Sequence, residues 1–490
     1  MAGTRTDIAK LGGPWSDTML WYARAVAALR TRPFDQRTSW TYLGAIHGFD
    51  PQGWLGQGIL PQNTSAPSQD EMRLMFNQCQ HAGWFFLPWH RGYLHAFEEI
   101  LGAWITSQGG PADWALPYWN YLNDDAAGAR DLPQEFRDPT LPDGSPNALS
   151  DARRGPATAL GPQPWIPVDI SLTAQTAESI YTADPGTLGY GGPISGFAQQ
   201  GSAFGANESD PHNLVHVMIG GGVAVDPPGW MFDPNFAALD PIFWVHHCNV
   251  DRLWAAWTTD PAHSQEDSSP WRNGPFPRQF TMPDSTGGLS VFVPSETLPG
   301  EALEPTYDDL IDGTGIVPPP VVGGLEMMAA RSPGRGSSAL IGANESAVTV
   351  GRGQVRSRIA MTARPGAGGG ALEGMGAGGG ERVYLNLEGV RGESASGVLN
   401  VVLTKAGADP AAEGAEAVKT LVFFGLGNAT SAEGPHGGSG LSATVEVTDI
   451  VRRLEATGAV GEIEAHVAQP SGDGPEITVD RITLYARPGG

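Results

Sequence analysis

Cysteine is almost missing from this chain: Cys79 and Cys248 are the only two in 490 residues. Two thiols cannot staple a fold of this size, so a disulfide framework is excluded and a reducing compartment is the expected setting. Positive charge is scarce too. Twenty-nine Lys and Arg against 53 Asp and Glu leave a net charge of -24. A surface this acidic repels phosphate backbones and anionic lipid, so neither nucleic acid nor membrane is an expected partner. No stretch of 18 or more apolar residues occurs, and residues 1–10 lack a basic start followed by an apolar run. Neither a membrane span nor a signal peptide is read, and a cytoplasmic location is expected. No internal repeat is visible.

What is present is a globular composition, 40% apolar and 17% charged, in a chain long enough for two or three domains. All 15 tryptophans lie before residue 275, and the composition shifts near residue 315, where GIVPPPVVGG begins. Residues 1–312 read as a first domain, mainly α-helical with long loops. Residues 313–338 read as a linker and 339–490 as a second, all-β domain. In the first domain, Leu20 to Leu29 and His90 to Ile105 carry helical apolar spacing, the latter with Leu94, Phe97, Ile100 and Leu101 as its stripe. Glu71 to His81 reads as a further helix, and the proline in AGWFFLPW marks a turn between helices. Asp210-Pro211 and Asp240-Pro241 each place an N-cap acid before a proline at the first helical position. In the second domain RVYLNLEGV, GVLNVVLTK, KTLVFFGLG, SATVEVTDIV and ITVDRITLYAR are short, β-branched and near period two. They predict an antiparallel sandwich or jelly roll, with RPGAGGGALEGMGAGGGE as a loop by composition.

The histidines carry the functional signal. Eight of eleven fall between residues 47 and 247. His212 and His216 stand four apart on a predicted helix, so both imidazoles share one face and can reach one metal ion. Asn213 sits where a zinc protease would carry its glutamate, so that signature is absent. A third ligand comes from His246 or His247; neighbours on a helix point about 100° apart, so one of the two faces the metal. His81 and His90 flank AGWFFLPW, and His47 in LGAIHGF is a candidate to complete a second triad, or else a core histidine. His95 reads as structural or as a support to the ligands. Two sets of three neutral imidazoles suit copper, with zinc as the alternative. No carboxylate stands poised as a hydrolytic base, which weighs against zinc.

HAGWFFLPWHRGYLHAFEEIL and HNLVHVMIGG…DPIFWVHHCNVDRLW closely resemble the two copper-binding signatures of tyrosinases, catechol oxidases and molluscan haemocyanins, the type-3 copper proteins. The resemblance covers about residues 20–257 and includes ALPYWNY. It implies a four-helix bundle around two copper ions, with O2 as co-substrate and small phenols as substrates. His47, His81 and His90 would hold the first copper, and His212, His216 and His247 the second, leaving His246 beside the site. Cys79, two residues before His81, resembles the thioether crosslink of fungal tyrosinases and molluscan haemocyanins; a buried free thiol is the plainer alternative. Cys248 has no such partner and is expected to be packed. Glu208 and Asn213 match positions thought to help deprotonate an incoming phenol through a held water. A phenol's pKa is near 10, and its phenolate is the better copper ligand. Uncharged Val217, where strong monophenolases often carry a basic residue, puts the monophenol rate in doubt. Pro234 falls near the position that overhangs the first copper in plant enzymes, implying a more open site. Phe243 is expected against the ligand imidazoles, and Asp251 with Arg252 as braces.

The implied reactions are hydroxylation of monophenols and oxidation of o-diphenols, and of o-aminophenols, to quinone products. A haemocyanin-like O2 carrier is the alternative reading. The tail is similar in architecture to the C-terminal β domain that often covers the copper site in related chains, which implies a latent proenzyme cleaved between residues 313 and 338, with a stabilising or partner-binding sandwich as the alternative.

Overall fold

In a computed structural model the described residues are 3–488, apart from 66, 124–126, 152, 155–176, 183, 200, 222–227, 315, 317–337, 363–380, 412–415, 433–437, 457–460 and 471–473. The glycine-rich run and most of the expected linker therefore lie outside the described residues. Among these, no helix is long and apolar enough to cross a membrane.

The first part is helical. Its frame is built from Asp17–Arg30, Trp40–His47, Phe86–Ser107 and Pro241–Trp257, with the short Leu214–Ile219 helix continuing a kinked turn, Glu208–Asn213. The starts follow from local chemistry. Ser16 accepts from Met19 N, Ser39 from Tyr42 N, and Asp240 from Ile242 N with Pro241 in the first helical position. Each such cap contributes about 1 kcal/mol by satisfying an otherwise orphaned N–H. The stripe Leu94, Phe97, Ile100 and Leu101 is buried, and Phe97 stacks on Trp244 at 3.6 Å between centroids. Buried ion pairs lock the two long helices together: Arg91 Nε to Asp251 at 2.6 Å, and Arg5 to Glu98 at 3.0 Å and to Asp251 at 3.1 Å. Asp251 thus braces the bundle. Arg252 braces separately, through Asn120 Oδ1 and the Asp312 carbonyl, both at 3.0 Å.

Two local expectations need correction. The helix predicted over Glu71 to His81 spans Gln69–Met75 only, because Asn77 takes φ 53 and the chain leaves the helical region before His81. Proline 88 lies inside the Phe86–Ser107 helix instead of in the turn before it. There it sits in the first turn, where a missing N–H leaves no helical bond unmade. The second helical run does open at Pro211, with Asp210 extended before it (φ -155, ψ 119) and its carboxylate paired with Lys419 of the second part.

Among the described residues the second part is an 11-stranded sheet system with antiparallel pairings. Arg382–Gly392 pairs with Arg481–Arg487 and Leu441–Glu446, and Ser396–Lys405 pairs with Glu462–Ala468 and Leu421–Phe424. Alternate residues fill its core, among them Leu385, Leu387, Leu399, Val401, Leu403, Ile482 and Leu484. It is not wholly β: the TDIV predicted to end a strand opens the Thr448–Ala456 helix, whose Val451 and Leu454 pack onto the sheet. The two parts share apolar cores. Val398, Val422 and Phe424 join the helical core, while Ala82 and Phe204 join that of the sheet. Glu178 is buried between Arg382 (3.3 Å) and Arg487 (3.2 Å) of the sheet.

The buried Arg154–Asp240 pair holds the start of Pro241–Trp257. Arg154 Nε lies 2.9 Å from Asp240 Oδ2, and Nη2 donates to the Leu149 carbonyl at 2.8 Å. Removing one partner leaves a buried charge uncompensated. Arg154→Met is expected to lower unfolding stability by roughly 3–5 kcal/mol, read as a fall in the urea midpoint.

Candidate metal centre

Two groups of buried side chains face one another between the helices. His47, Cys79, His81 and His90 form one; His212, His216, His246 and His247 form the other. Within each group the ligating atoms all lie within 4.8 Å of one another. The groups meet ring to ring: His90 stacks on His247 at 4.5 Å and 15°, and His81 lies 5.7 Å from His212.

Each element delivers its histidine for a local reason. His47 is the last residue of its helix and His90 lies in the first turns of Phe86–Ser107. His81 sits in the extended loop that the positive φ of Asn77 and Ala82 sets up on either side. His212 and His216 follow Pro211 on one face, and His246 and His247 sit mid-helix.

Hydrogen bonds at Nδ1 set the ring orientation. His47 Nδ1 donates to the Pro234 carbonyl (2.9 Å), His90 to Phe86 O (2.8 Å), His216 to Met231 O (2.9 Å) and His212 to Asn213 Oδ1 (2.9 Å). Each partner is an acceptor only, so the proton stays on Nδ1 and the Nε2 lone pair points inward, which is how metal-ligating imidazoles are held. Nε2 of His47 and of His212 are buried with no hydrogen-bond partner, and Nε2 of His216 faces Nε2 of His247 at 3.1 Å. Inward lone pairs without donors are what a cation satisfies. The residues present therefore fit two copper ions, with neutral nitrogen donors on both sides.

Burial holds these rings neutral. It pushes His47 down to about 4 and His246 to about 3, and His90, His212, His216 and His247 well below the usual range. In the unfolded chain they would titrate near 6.5. Below that pH the unfolded chain gains protons that the folded one refuses, so stability falls with pH. For His47 the window runs from about 6.5 down to about 4, at about 1.4 kcal/mol per pH unit. The urea midpoint of copper-free protein is expected to drop steadily across that window; a flat profile contradicts the burial.

The surroundings are apolar and aromatic. Phe243 packs on His247 (4.1 Å) and His47 (4.9 Å), and Phe86 on His90 (4.5 Å) and His212 (4.7 Å). Val217 is buried, and Pro234 takes part through its carbonyl. His95 lies apart, 3.7 Å from Glu99 on a partly exposed face, which leaves it a structural role. Cys248 is packed, its thiol 3.6 Å from the Leu116 carbonyl. Cys79 Sγ is 3.5 and 3.4 Å from Nδ1 and Nε2 of His81, the two nitrogens that flank Cε1. Glu208 is fully buried, which pushes its carboxyl well up; both oxygens accept from Ala82 N, at 2.8 and 2.9 Å. It thereby ties the His212 segment to the residue after His81. Asn213 contacts His212 and reaches Val422 O at 3.5 Å, so its amide is engaged away from Glu208.

Phe424 is the residue sequence reasoning missed. It ends the Leu421–Phe424 strand, and Gly425 turns the chain back with φ 80. Its ring lies 4.3 Å from His216, 5.4 Å from His81 and 5.7 Å from His212. The second part thus places a phenyl ring against both histidine groups. The one trace in the sequence is the pair of phenylalanines before glycine in LVFFGLG.

Residues 37–260 match the family described as the common central domain of tyrosinase, and residues 337–487 match a domain of unknown function, DUF7868. Tyrosinase HcTyr1 of Hahella sp. (strain CCB-MM4) is 31% identical over 503 residues, 99% of each chain. The chloroplastic polyphenol oxidase of Vitis vinifera is 30% identical over 274 residues, covering 51% of this chain and 43% of that one. In fold, the chain superposes on latent apple tyrosinase with TM-score 0.62 at 18% identity, over 99% of this chain and 97% of the other. It superposes on latent aurone synthase with TM-score 0.64, over 100% and 90%. The inward-facing histidine groups and the full-length likeness lead to one conclusion: this chain belongs to the tyrosinase family of type-3 copper oxidoreductases, which oxidise phenols with O2.

Proposed function

We propose that the chain hydroxylates monophenols at the ortho position and oxidises o-diphenols, and o-aminophenols, to quinone products, and that it is made latent. The observation that carries the latency is the Phe424 ring against His81, His212 and His216, where a substrate ring must lie. His47, His81 and His90 would hold one copper and His212, His216 and His247 the other. When bound, the copper pair supplies the redox chemistry that couples O2 to the phenol. The protein does the rest. Phe243 and Phe86 exclude water and fix the imidazoles, and the face of His216 now covered by Phe424 offers a stacking surface for a phenol. Once the second domain withdraws, Asn213 loses its Val422 contact, and its amide with Glu208 can hold the water that takes the phenol proton. Cys79 is placed for a thioether to His81 Cε1, a two-electron oxidation with O2 as acceptor that loses the thiol hydrogen and the ring hydrogen.

Residues 1–312 form the catalytic unit in this reading, 339–490 the shield, and 313–338 the segment cut to release it. Copper-loaded protein is expected to form quinone from catechol slowly when intact and rapidly after limited proteolysis. Equal rates before and after cutting overturn the latency; no quinone at any stage, with O2 bound reversibly, favours a carrier.

A further inference from the structure

The segment that carries Phe424 lies along the helical part in step with it. Lys419 pairs with Asp210, the Val422 carbonyl faces Asn213 Nδ2 at 3.5 Å, and the Phe424 ring covers His216 at 4.3 Å. Residues 419–424 thus run in the same order as residues 210–216. Side chains alternate along the strand, as extended chain requires. Val422 and Phe424 enter the helical core, and Leu421 and Phe423 that of the sheet. The helical part therefore meets this segment as it would meet a separate extended peptide. It receives an ammonium at one end, a valine side chain between, and an aromatic ring against the histidines.

Asp210 is the charged member of this run. Its side chain is 3% exposed, it stands two residues before His212, and the lysine it pairs with belongs to the second part. A cavity of about 410 Å3 borders the pair, with Ser209, Asp210, Lys419, Thr420 and Val422 in its wall. The pair thus stands at the side of a groove and not in sealed packing. When the second part withdraws, it takes Lys419 with it. The carboxylate is left on the run that leads to His216. A charge parted from its partner at a recognition surface favours ligands that restore one.

What links the ring to the cation is backbone. Phe424 stands five residues after Lys419, at most roughly 18 Å of extended chain. That is the pattern of a polypeptide and not of a small phenol with a short tail. We propose that the released catalytic unit takes phenolic side chains within extended polypeptides, and that Asp210 is a specificity-determining residue selecting a lysine or arginine five positions before the phenolic residue. This rests on the latency reading above and adds the substrate class. The net charge of -24 acts in the same direction, drawing basic polypeptides to the chain. The reaction is the one already given: two catechol side chains yield four electrons and four protons to one O2, leaving two quinones and two waters.

The test uses copper-loaded full-length protein cut as above, with both pieces kept in solution. The probes are end-capped hexapeptides that repeat residues 419–424 with 3,4-dihydroxyphenylalanine in the last place. Serine replaces the residues matching Leu421 and Phe423, whose side chains face the sheet. The first place is Lys, Gln or Glu. A fourth peptide begins with Gln and carries lysine instead of its first serine, three positions before the catechol. Each kcat/KM is read from O2 uptake and compared as a ratio between peptides, so general changes in turnover cancel. Free catechol oxidised faster after cutting establishes the latency reading separately; if cutting releases nothing, that reading fails and the proposal with it. The Lys peptide is expected to exceed the Gln peptide by about fivefold or more, with the Glu peptide lowest and the shifted lysine well below the Lys peptide. Asp210→Asn is expected to bring the Lys and Gln peptides to parity, and Asp210→Lys to favour the Glu peptide. If neither variant folds, the four wild-type ratios still decide. Equal values for the Lys and Gln peptides, a lysine preference indifferent to position, or one that persists in folded Asp210→Asn overturns the proposal and leaves the ion pair as a clasp for the shield alone.

Discussion

Phe424→Gly in the uncut chain is expected to raise catechol oxidation by about tenfold or more without any proteolysis. The reason is occupancy. A substrate binds only to the fraction of molecules whose site is empty, and its apparent affinity falls by that fraction. The phenyl ring covers His216 at 4.3 Å and abuts His81 and His212 edge-on. It is fully buried at the end of a strand whose other residues pair in register with Gly397–Leu399. That pairing, the Ser396 hydroxyl donating to the Phe232 carbonyl at 2.7 Å, and the Asn235–Asn428 contact hold the strand in place whether or not the ring is present. Glycine therefore empties the ring site while the domain stays docked. Burial of such a ring is typically worth about 3–5 kcal/mol, so the variant also loosens the interface, and both effects act in the same direction. Rates taken on intact and cut protein separate them: after cutting, wild type and variant should converge. An uncut variant as slow as uncut wild type places the block elsewhere.

His216→Asn is expected to abolish oxidation, by at least about a thousandfold on the scale of 1.4 kcal/mol per tenfold, and to reduce copper from two ions per chain towards one. His216 is held on both sides, by Met231 O at Nδ1 and by the approach of His247 at Nε2. Asparagine is shorter and cannot bring a donor to that point. Because the ring is buried and neutral in the copper-free protein, its loss is a cavity and not a lost charge. Folding should survive, and a circular dichroism spectrum like that of wild type checks this. Retained oxidation in that variant would remove His216 from the site.

Much of this centre was legible in the sequence. The i, i+4 spacing of His212 and His216 needs only a helix to become one face, and Pro211 and Pro241 mark where the two helical runs begin. The apolar stripe of Phe86–Ser107 and the β-branched runs of the tail report their own burial, so both domain classes follow from pattern. What stayed hidden depends on contacts between distant segments. Phe424 lies some two hundred residues beyond His216 and is a strand residue like its neighbours until the sheet docks. The Pro234, Phe86 and Met231 carbonyls that orient the rings are backbone atoms, invisible to any motif. Tyr121, within ALPYWNY, meets His246 Nδ1 at 3.1 Å only because that segment crosses the helix carrying the histidine. The overlong helix at Glu71 to His81 has the same root: its sequence tolerates a helix, and the need to carry His81 into the centre overrides it.

Two groups of buried, neutral imidazoles would hold a pair of copper ions that together take up O2. Titrating copper-free protein with Cu(I) under argon, then admitting O2, addresses it directly. Two tightly bound ions per chain and one O2 taken up per pair are the expected result. Saturation at a single ion, or two ions that take up no O2 even after the second domain has been cut away, would contradict it.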